Sequence, residues 1–185
     1  MKKKLSAFAI LLSILLMNAC KREDSIPSNI SNINTVAPSD TITSFLVSFE
    51  NEQDSSVEFG NYDDDDGPGP KAANIGGVSL KQNAPYKITF RIEDGTNAAN
   101  PIILNTKIKN NGKDYKLCIT NNLAITATAT DSDGTLPIGL TYDLNTKNTG
   151  NGTITFTIKY QKGVKNGDCA PGTNYHTCTL PISVF

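Results

Sequence analysis

Four cysteines and one histidine are the side chains of this 185-residue sequence best suited to covalent or metal chemistry. Cys169 and Cys178 enclose a short segment containing Pro and Gly. A disulfide between them would close a ring of about ten residues and contribute about 3 kcal/mol by the chain-entropy argument. We therefore expect a Cys169–Cys178 disulfide. Cys118 lies in a strand-like run, either as a buried thiol or paired with one of the other two cysteines.

The sequence lacks the residues that a zinc site or a nucleophilic catalytic site would need. Structural zinc requires four ligands, and no closely spaced Cys pair accompanies His176, the single histidine. A catalytic triad would need His176 beside an activated nucleophile, and the sequence contains no Gly-x-Ser-x-Gly motif. A lone histidine in a loop is usually solvated. We expect no catalysis and no cofactor.

Two acidic segments are weaker candidates for cation binding. Asp131 and Asp133 precede Gly134 with the spacing that begins a calcium loop, but no distal Glu follows. The pattern favours a turn between strands, with calcium as the weaker interpretation. The run 63–66 consists of four aspartates and is followed by alternating Gly and Pro. Like charges repel and Gly-Pro breaks regular structure, so we predict a disordered acidic loop at 61–71.

The charge balance excludes partners that are recognised through a basic surface. The chain has 17 Lys and Arg against 18 Asp and Glu, and three of the lysines lie at positions 2–4. Without the first nineteen residues, 14 basic and 18 acidic groups remain, a net charge of −4. We therefore expect no nucleic-acid binding.

The N-terminus has the layout of a secretory leader. Three lysines precede an apolar run from Leu5 to Met17, and Ala19 stands directly before Cys20. A run of about thirteen residues is short for a membrane-spanning helix, which needs about twenty. The segment resembles a bacterial lipoprotein signal, with Ala19 and Cys20 matching the end of its lipobox. This resemblance implies that residues 1–19 are removed and that Cys20 carries the lipid.

The residues after Cys20 suggest where the anchored chain faces. Lys21, Arg22, Glu23 and Asp24 resemble the surface-export signal of Bacteroidota-type lipoproteins, in which Lys and acidic residues follow the lipidated Cys. That resemblance implies an outer-membrane protein exposed on the cell surface; a periplasm-facing protein is the alternative. Residues 20–43 are rich in Ser, Asn and Pro without sustained periodicity, so we predict a flexible tether.

Alternating apolar residues predict that residues 44–185 form one all-β domain. Thr and Asn each occur 20 times, which favours strands and turns. The pattern predicts seven or eight antiparallel strands packed as a β-sandwich, including a hairpin of 102–108 with 115–119 around Asn111-Gly112. The clearest inward-facing runs are Tyr86, Ile88, Phe90 and Ile92, and Ile154, Phe156, Ile158 and Tyr160. The pattern is similar to the immunoglobulin-like domains of bacterial surface proteins.

An acidic β-sandwich on a tether, without a recognisable set of catalytic residues, indicates a binding protein rather than an enzyme. We expect a lipid-anchored envelope protein with an adhesion, binding or accessory structural role, whose ligand is a protein or a glycan. One alternative is a glycan-binding subunit of a nutrient-uptake system, in which Tyr62, Tyr86, Tyr142 and Tyr175 could stack on sugars. Another is a small envelope enzyme or inhibitor that uses the segment between Cys169 and Cys178.

Lipidation is expected to depend on Cys20. The Cys20→Ala variant should accumulate as a larger, unacylated precursor that retains residues 1–19, because the acceptor thiol is absent. Metabolic labelling with a clickable fatty acid and intact-mass measurement of the membrane fraction would test this. Processing and fatty-acid incorporation equal to those of the parent chain would contradict the anchor assignment.

Overall fold

A computed structural model describes residues 40–67 and 69–185 of the protein. Cys20, the predicted export residues 21–24 and the predicted leader 1–19 lie outside the described residues. No helix within the described residues is long and apolar enough to cross a membrane.

The described chain is almost entirely β-structure, arranged in two sheets. Its strands are β1 Ser44–Asn51, β2 Val57–Asp63, β3 Asn74–Gly76, β4 Val78–Leu80, β5 Pro85–Asp94, β6 Ile102–Ile103, β7 Tyr115–Asn121, β8 Ile125–Ala129, β9 Thr141–Thr146, β10 Gly150–Tyr160 and β11 Thr173–Val184. One short helix, α1 Asn105–Asn110, and a 3-10 turn, Gly112–Asp114, precede β7. The predicted all-β sandwich is confirmed.

The larger sheet runs in the order β3-β2-β1-β5-β9-β8, with β6 paired to the end of β5. The smaller sheet runs β4-β11-β10-β7. Neighbouring strands are antiparallel except for β4 and β11, which are parallel. In this arrangement β7 is an edge of the smaller sheet and β8 an edge of the larger one. The short segment 122–124 joins these two edges.

Alternation of side chains builds the core between the sheets. Phe45 of β1, Phe90 of β5 and Phe156 of β10 are buried and their ring centroids lie 5.3–5.7 Å apart. Such tilted and edge-on ring contacts add to the stability of the fold beyond the effect of burying their apolar area. On β10 the residues that alternate with the buried ones face outward and include Thr153, Thr155 and Thr157. The predicted inward set of this strand is confirmed.

The predicted hairpin of 102–108 with 115–119 is wrong. Only Ile102–Ile103 is a strand, and it pairs with β5, while β7 pairs with β10. The side chain of Asn105 explains the change, because it accepts from the Ile92 N–H and donates to the Phe90 carbonyl of β5. The chain then turns into α1, which buries Ile108. Asn111-Gly112 therefore ends a helix.

Two predicted boundaries also move. Residues 61–63 of the predicted acidic loop belong to β2, and Asp64 is buried and accepts from the Tyr62 hydroxyl. The predicted tether ended at 43, but Ile42 and Thr43 are buried and the Thr43 N–H donates to the Glu93 carbonyl. The folded domain thus includes residues from Asp40 onward.

His176 lies in β11, which corrects its predicted place in a solvated loop. Its ring stacks on Phe45 at 6.1 Å and meets Tyr62 edge-on at 5.2 Å. Its Nε2 atom is buried without a hydrogen-bond partner among the described residues. Burial lowers the pKa of His176 to about 4, although the nearby Asp64 carboxylate acts in the opposite direction. The folded chain therefore holds this imidazole neutral at pH 7.

His176 should make the fold sensitive to mild acid. Between pH 6.5 and about 4 the unfolded chain binds a proton at this residue and the folded chain does not. The free energy of unfolding should fall by up to about 3 kcal/mol as the pH drops through this window. His176→Phe should lack this component. Urea unfolding of both proteins at several pH values would give the free energy of unfolding as a function of pH. The same pH dependence in the parent chain and in His176→Phe would contradict the prediction.

Candidate functional site

The disulfide joins Cys118 of β7 to Cys169, which lies in the loop between β10 and β11. The predicted Cys169–Cys178 pairing is wrong, and Cys178 is a free thiol that is 2% exposed. Strand alternation gives the reason. Cys178 lies opposite Phe156 on the inner face of its sheet, whereas Cys118 lies opposite Thr157 on the outer face. Cys169 reaches only the outer face, so closeness in sequence did not decide the pairing.

The segment 161–172, here called the disulfide loop, folds back over the outer face of β7, where Cys169 bonds Cys118. The amide of Gln161 donates to the carbonyls of Asp168 and Pro171 at 2.9 and 3.0 Å. The ammonium of Lys165 donates to the Gly112 carbonyl at 2.7 Å and to Asp133 at 2.9 Å. The Lys165 and Asp133 side chains are only 4% and 6% exposed. A covalent bond and a buried ion pair therefore fix this loop.

The two calcium candidates are engaged by protein donors. Asp131 accepts the N–H groups of Gly139, Leu140 and Thr141. Asp133 accepts two further backbone N–H groups, and together with Lys165 they lower its pKa to about 2. Gly134 has a φ of 97°, as expected of the predicted turn. Over residues 40–67 and 69–185, no group of three or more His, Cys, Asp or Glu side chains could hold a metal ion.

A cleft of about 390 Å³ opens where β7 and β8 leave the sandwich unclosed. Its apolar lining comes from Ile119 of β7 and from Ala127 and Ala129 of β8. These two alanines lie opposite Leu144 and Tyr142 on the inner face of the larger sheet. Because alanine fills so little volume, the gap between the two sheet edges stays open at this point.

The wall of the cleft is made by the segments that cover β7. Pro137 and Tyr142 line one side, and Gly167, Asp168 and Cys169 of the disulfide loop line the other. The Tyr142 hydroxyl donates to the Leu117 carbonyl at 2.5 Å, and burial raises the pKa of this tyrosine. The cleft wall is thus tied to β7 by both a hydrogen bond and the disulfide.

Lys116 is the charged side chain of β7 that lines the cleft. The residue as a whole is 6% exposed, and within the described part of the chain its Nζ atom is not among the buried polar atoms that lack a hydrogen-bond partner. Burial lowers its pKa, and the neighbouring Lys165 lowers it further, while Asp168 and Asp131 act in the opposite direction.

The tyrosines expected to stack on sugars are mostly covered. Tyr86 and Tyr142 are buried in the core, and the hydroxyl of Tyr86 accepts from the Lys81 N–H. Tyr62 packs on His176, and Tyr175 packs on Tyr115. Tyr86 and Tyr142 therefore offer no exposed ring, whereas Tyr62 and Tyr175 are half-buried.

Sequence reasoning missed Lys116 and the cleft. Lys116 alternates with the inward residues of β7, which indicates an exposed side chain on an outer face. Only the return of the disulfide loop over that face buries it, and the Cys118–Cys169 pairing was the signal that could have revealed it.

Comparison with known proteins gives no match: no family model, no curated protein and no solved structure is similar to this chain at a significant level.

The disulfide should be confirmed by peptide mapping of the non-reduced chain. Peptides containing Cys118 and Cys169 should be linked, and Cys178 should be alkylated only after denaturation, because burial raises its pKa to about 12. The bridged cysteines are 51 residues apart, so Cys118→Ser or Cys169→Ser should lower the free energy of unfolding by about 4 kcal/mol.

Cys178→Ala is the matched control for this pair, because it leaves the Cys118–Cys169 linkage intact. A linkage that includes Cys178 would contradict the assignment. So would equal free energies of unfolding for Cys118→Ser and the parent chain.

Proposed function

We propose that this protein is a lipid-anchored binding protein of the bacterial cell envelope, and that it takes a small ligand into the cleft between β7 and β8. The cleft is the observation that carries the proposal. Small-molecule sites are concave and mostly apolar, hold a few placed polar groups and occupy about 300–1,000 Å³. The cleft has this volume, and its lining includes the apolar side chains of Ile119, Ala127 and Ala129 and the lysine Lys116.

The rigidity of the surrounding structure supports a preformed site. The disulfide loop is fixed by the Cys118–Cys169 bond and by the buried Lys165–Asp133 pair. The opposite wall is fixed by the three N–H groups that Asp131 accepts. A site that needs no ordering on binding loses less affinity to conformational entropy.

The anchor supports the cellular setting of the proposal. Residues 1–20 have the lipoprotein layout, and the predicted tether would hold the domain away from the bilayer. Export to the cell surface is proposed from residues 21–24 alone. A binding domain on such a tether serves capture or adhesion without chemistry of its own.

Filling the cleft should abolish ligand binding and leave the fold intact. Ala129→Leu places a larger apolar side chain in the gap between the sheet edges. Protein-observed NMR of the purified chain, titrated with water-soluble sugars, amino acids, organic acids and short peptides, should show shifts confined to the cleft. The affinity of the compounds that cause these shifts should fall at least about tenfold in the variant, a difference of about 1.4 kcal/mol in binding free energy.

Thr155→Val is the matched control, because Thr155 lies on the outer face of β10 away from the cleft. It should bind like the parent chain. Shifts that map elsewhere on the domain, or binding unaffected by Ala129→Leu, would contradict the proposed site.

A further inference from the structure

The backbone of β7 faces the cleft at alternate residues. In an antiparallel pair, successive residues turn their N–H and C=O groups to opposite sides, so one hydrogen bond fixes the direction for the strand. The Leu117 N–H donates to the Ile138 carbonyl at 2.7 Å, outside the sheet, so Leu117 faces away from β10. Ile119, two residues further along an unbroken register, faces the same way and lines the cleft.

The backbone of β8 faces the cleft in the same manner. The Thr130 N–H donates to the Thr141 carbonyl at 2.9 Å, which continues the register of β8 with β9. Even-numbered residues of β8 therefore face β9. Ala127 and Ala129 alternate with them and turn their N–H and C=O groups toward the free edge of the larger sheet. The open-edge residues of the cleft are thus Ile119, Ala127 and Ala129.

The chain itself bridges the two sheet edges at each end of the cleft. At one end Ile138 does so as a strand residue would, because its carbonyl accepts from Leu117 and its N–H donates to the Asp131 carbonyl at 3.3 Å. At the other end the side-chain amide of Asn121 donates to the Ile125 carbonyl at 3.1 Å. Between these bridges, no strand of the described chain pairs with the open-edge residues on their cleft side.

We propose that the cleft binds a short extended segment of another polypeptide, which pairs through its main chain with β7 and β8 and continues the bridge made by Ile138. This inference rests on the proposed function and names the ligand class for that site. Unpaired N–H and C=O groups at a sheet edge are the groups that an added strand recognises. The bridge at Ile138 shows that extended backbone already fits between these two edges one step along.

The lining of the cleft suits a segment with alternating side chains. Successive side chains of an extended peptide point to opposite faces. On the inner face, Ala127 and Ala129 lie opposite Leu144 and Tyr142 and leave space for a larger side chain from the ligand. On the outer face, the exposed Thr128 lines the cleft. We therefore expect the segment to carry apolar residues at alternate positions, with small polar residues between them.

Capped peptides test main-chain pairing without terminal charges. The full chain in detergent micelles would be titrated with acetyl-Ser-X-Thr-X-Ser-amide, where X is Ala, Val, Leu or Phe, using empty micelles as the blank. At least one peptide should bind, with the largest NMR shifts at the amides of the open-edge residues. The same peptide with N-methyl groups on its three central residues keeps its side chains and loses those N–H donors. It should bind about tenfold or more weakly, as expected for the loss of two or three hydrogen bonds.

Ala127→Pro tests the same pairing from the side of the protein. Proline has no N–H, and the Ala127 N–H faces the cleft, so the variant should bind the peptide about fivefold or more weakly without losing a bond to β9. Thr177→Pro is the matched control. Thr177 is exposed and lies at an even spacing from Pro181 in β11, so its N–H also faces away from β10. The control should bind like the parent chain, and both variants should keep a cooperative thermal unfolding transition.

The outcomes distinguish this inference from the proposed function. Equal binding of the unmodified and N-methylated peptides would overturn main-chain pairing and leave the cleft as an apolar binding site. Cleft shifts caused by sugars, amino acids or organic acids, with no binding of any capped peptide, would have the same meaning. Loss of cleft shifts for every compound class, capped peptides included, would overturn the proposed function itself.

Two further outcomes concern the source of the bound segment. Shifts of the open-edge amides that depend on protein concentration, without binding of any capped peptide, would identify a second copy of this chain as the occupant. Peptide binding that occurs only after deletion of residues 25–39 would identify the chain's own predicted tether as the occupant. Either result would overturn the assignment to another polypeptide.

Discussion

The edge of the smaller sheet at β7, which no further strand pairs, is the constraint on which this end of the domain depends. An edge strand presents unpaired N–H and C=O groups that must be covered or paired. Here the Leu117 N–H donates to the Ile138 carbonyl, and the Tyr142 hydroxyl donates to the Leu117 carbonyl. Gly139 makes this cover possible, because a Cβ at its position would lie 2.5 Å from the Leu117 oxygen and its φ is 91°. The backbone hydrogen bond that covers this edge is made at Leu117, and Ile119 beyond it lines the cleft.

The parts of the fold that depend on local alternation could be predicted from the sequence. Phe90 and Phe156 belong to runs in which every second residue is apolar, and both are buried as that pattern requires. The segment around Asn105 could not be predicted in this way. Its apolar residues suit a strand, but the Asn105 amide pairs with the backbone of β5 and the chain leaves as a helix. Such a bond joins residues that are distant in sequence, which periodicity does not detect.

The candidate site was less predictable for the same reason. Which face a cysteine occupies follows from its strand register, and β11 begins at Thr173, so Cys178 already lies inside a strand and faces inward. The short Cys169–Cys178 spacing suggested a closed ring, and only the tertiary register excludes it. Lys116 could be placed on an outer face from the sequence. That the disulfide loop would return over that face could not.

The disulfide loop contacts two lysines, Lys165 and Lys116, in different ways. Lys165 has its carboxylate within the protein, so its burial fixes the loop against the turn at Asp133. A buried pair of this kind contributes little net stability, but losing one partner is strongly destabilising, and it therefore specifies one loop position. Lys116, two residues before Cys118, is 6% exposed as a residue and lines the cleft beside that same loop. Cys169 lines the cleft, so one wall of the proposed site is formed by the disulfide itself. Disulfides persist in oxidising compartments such as the bacterial envelope. An oxidising envelope therefore suits both the proposed location and the proposed site, since reduction would remove the covalent tie of the loop that forms one wall of the cleft.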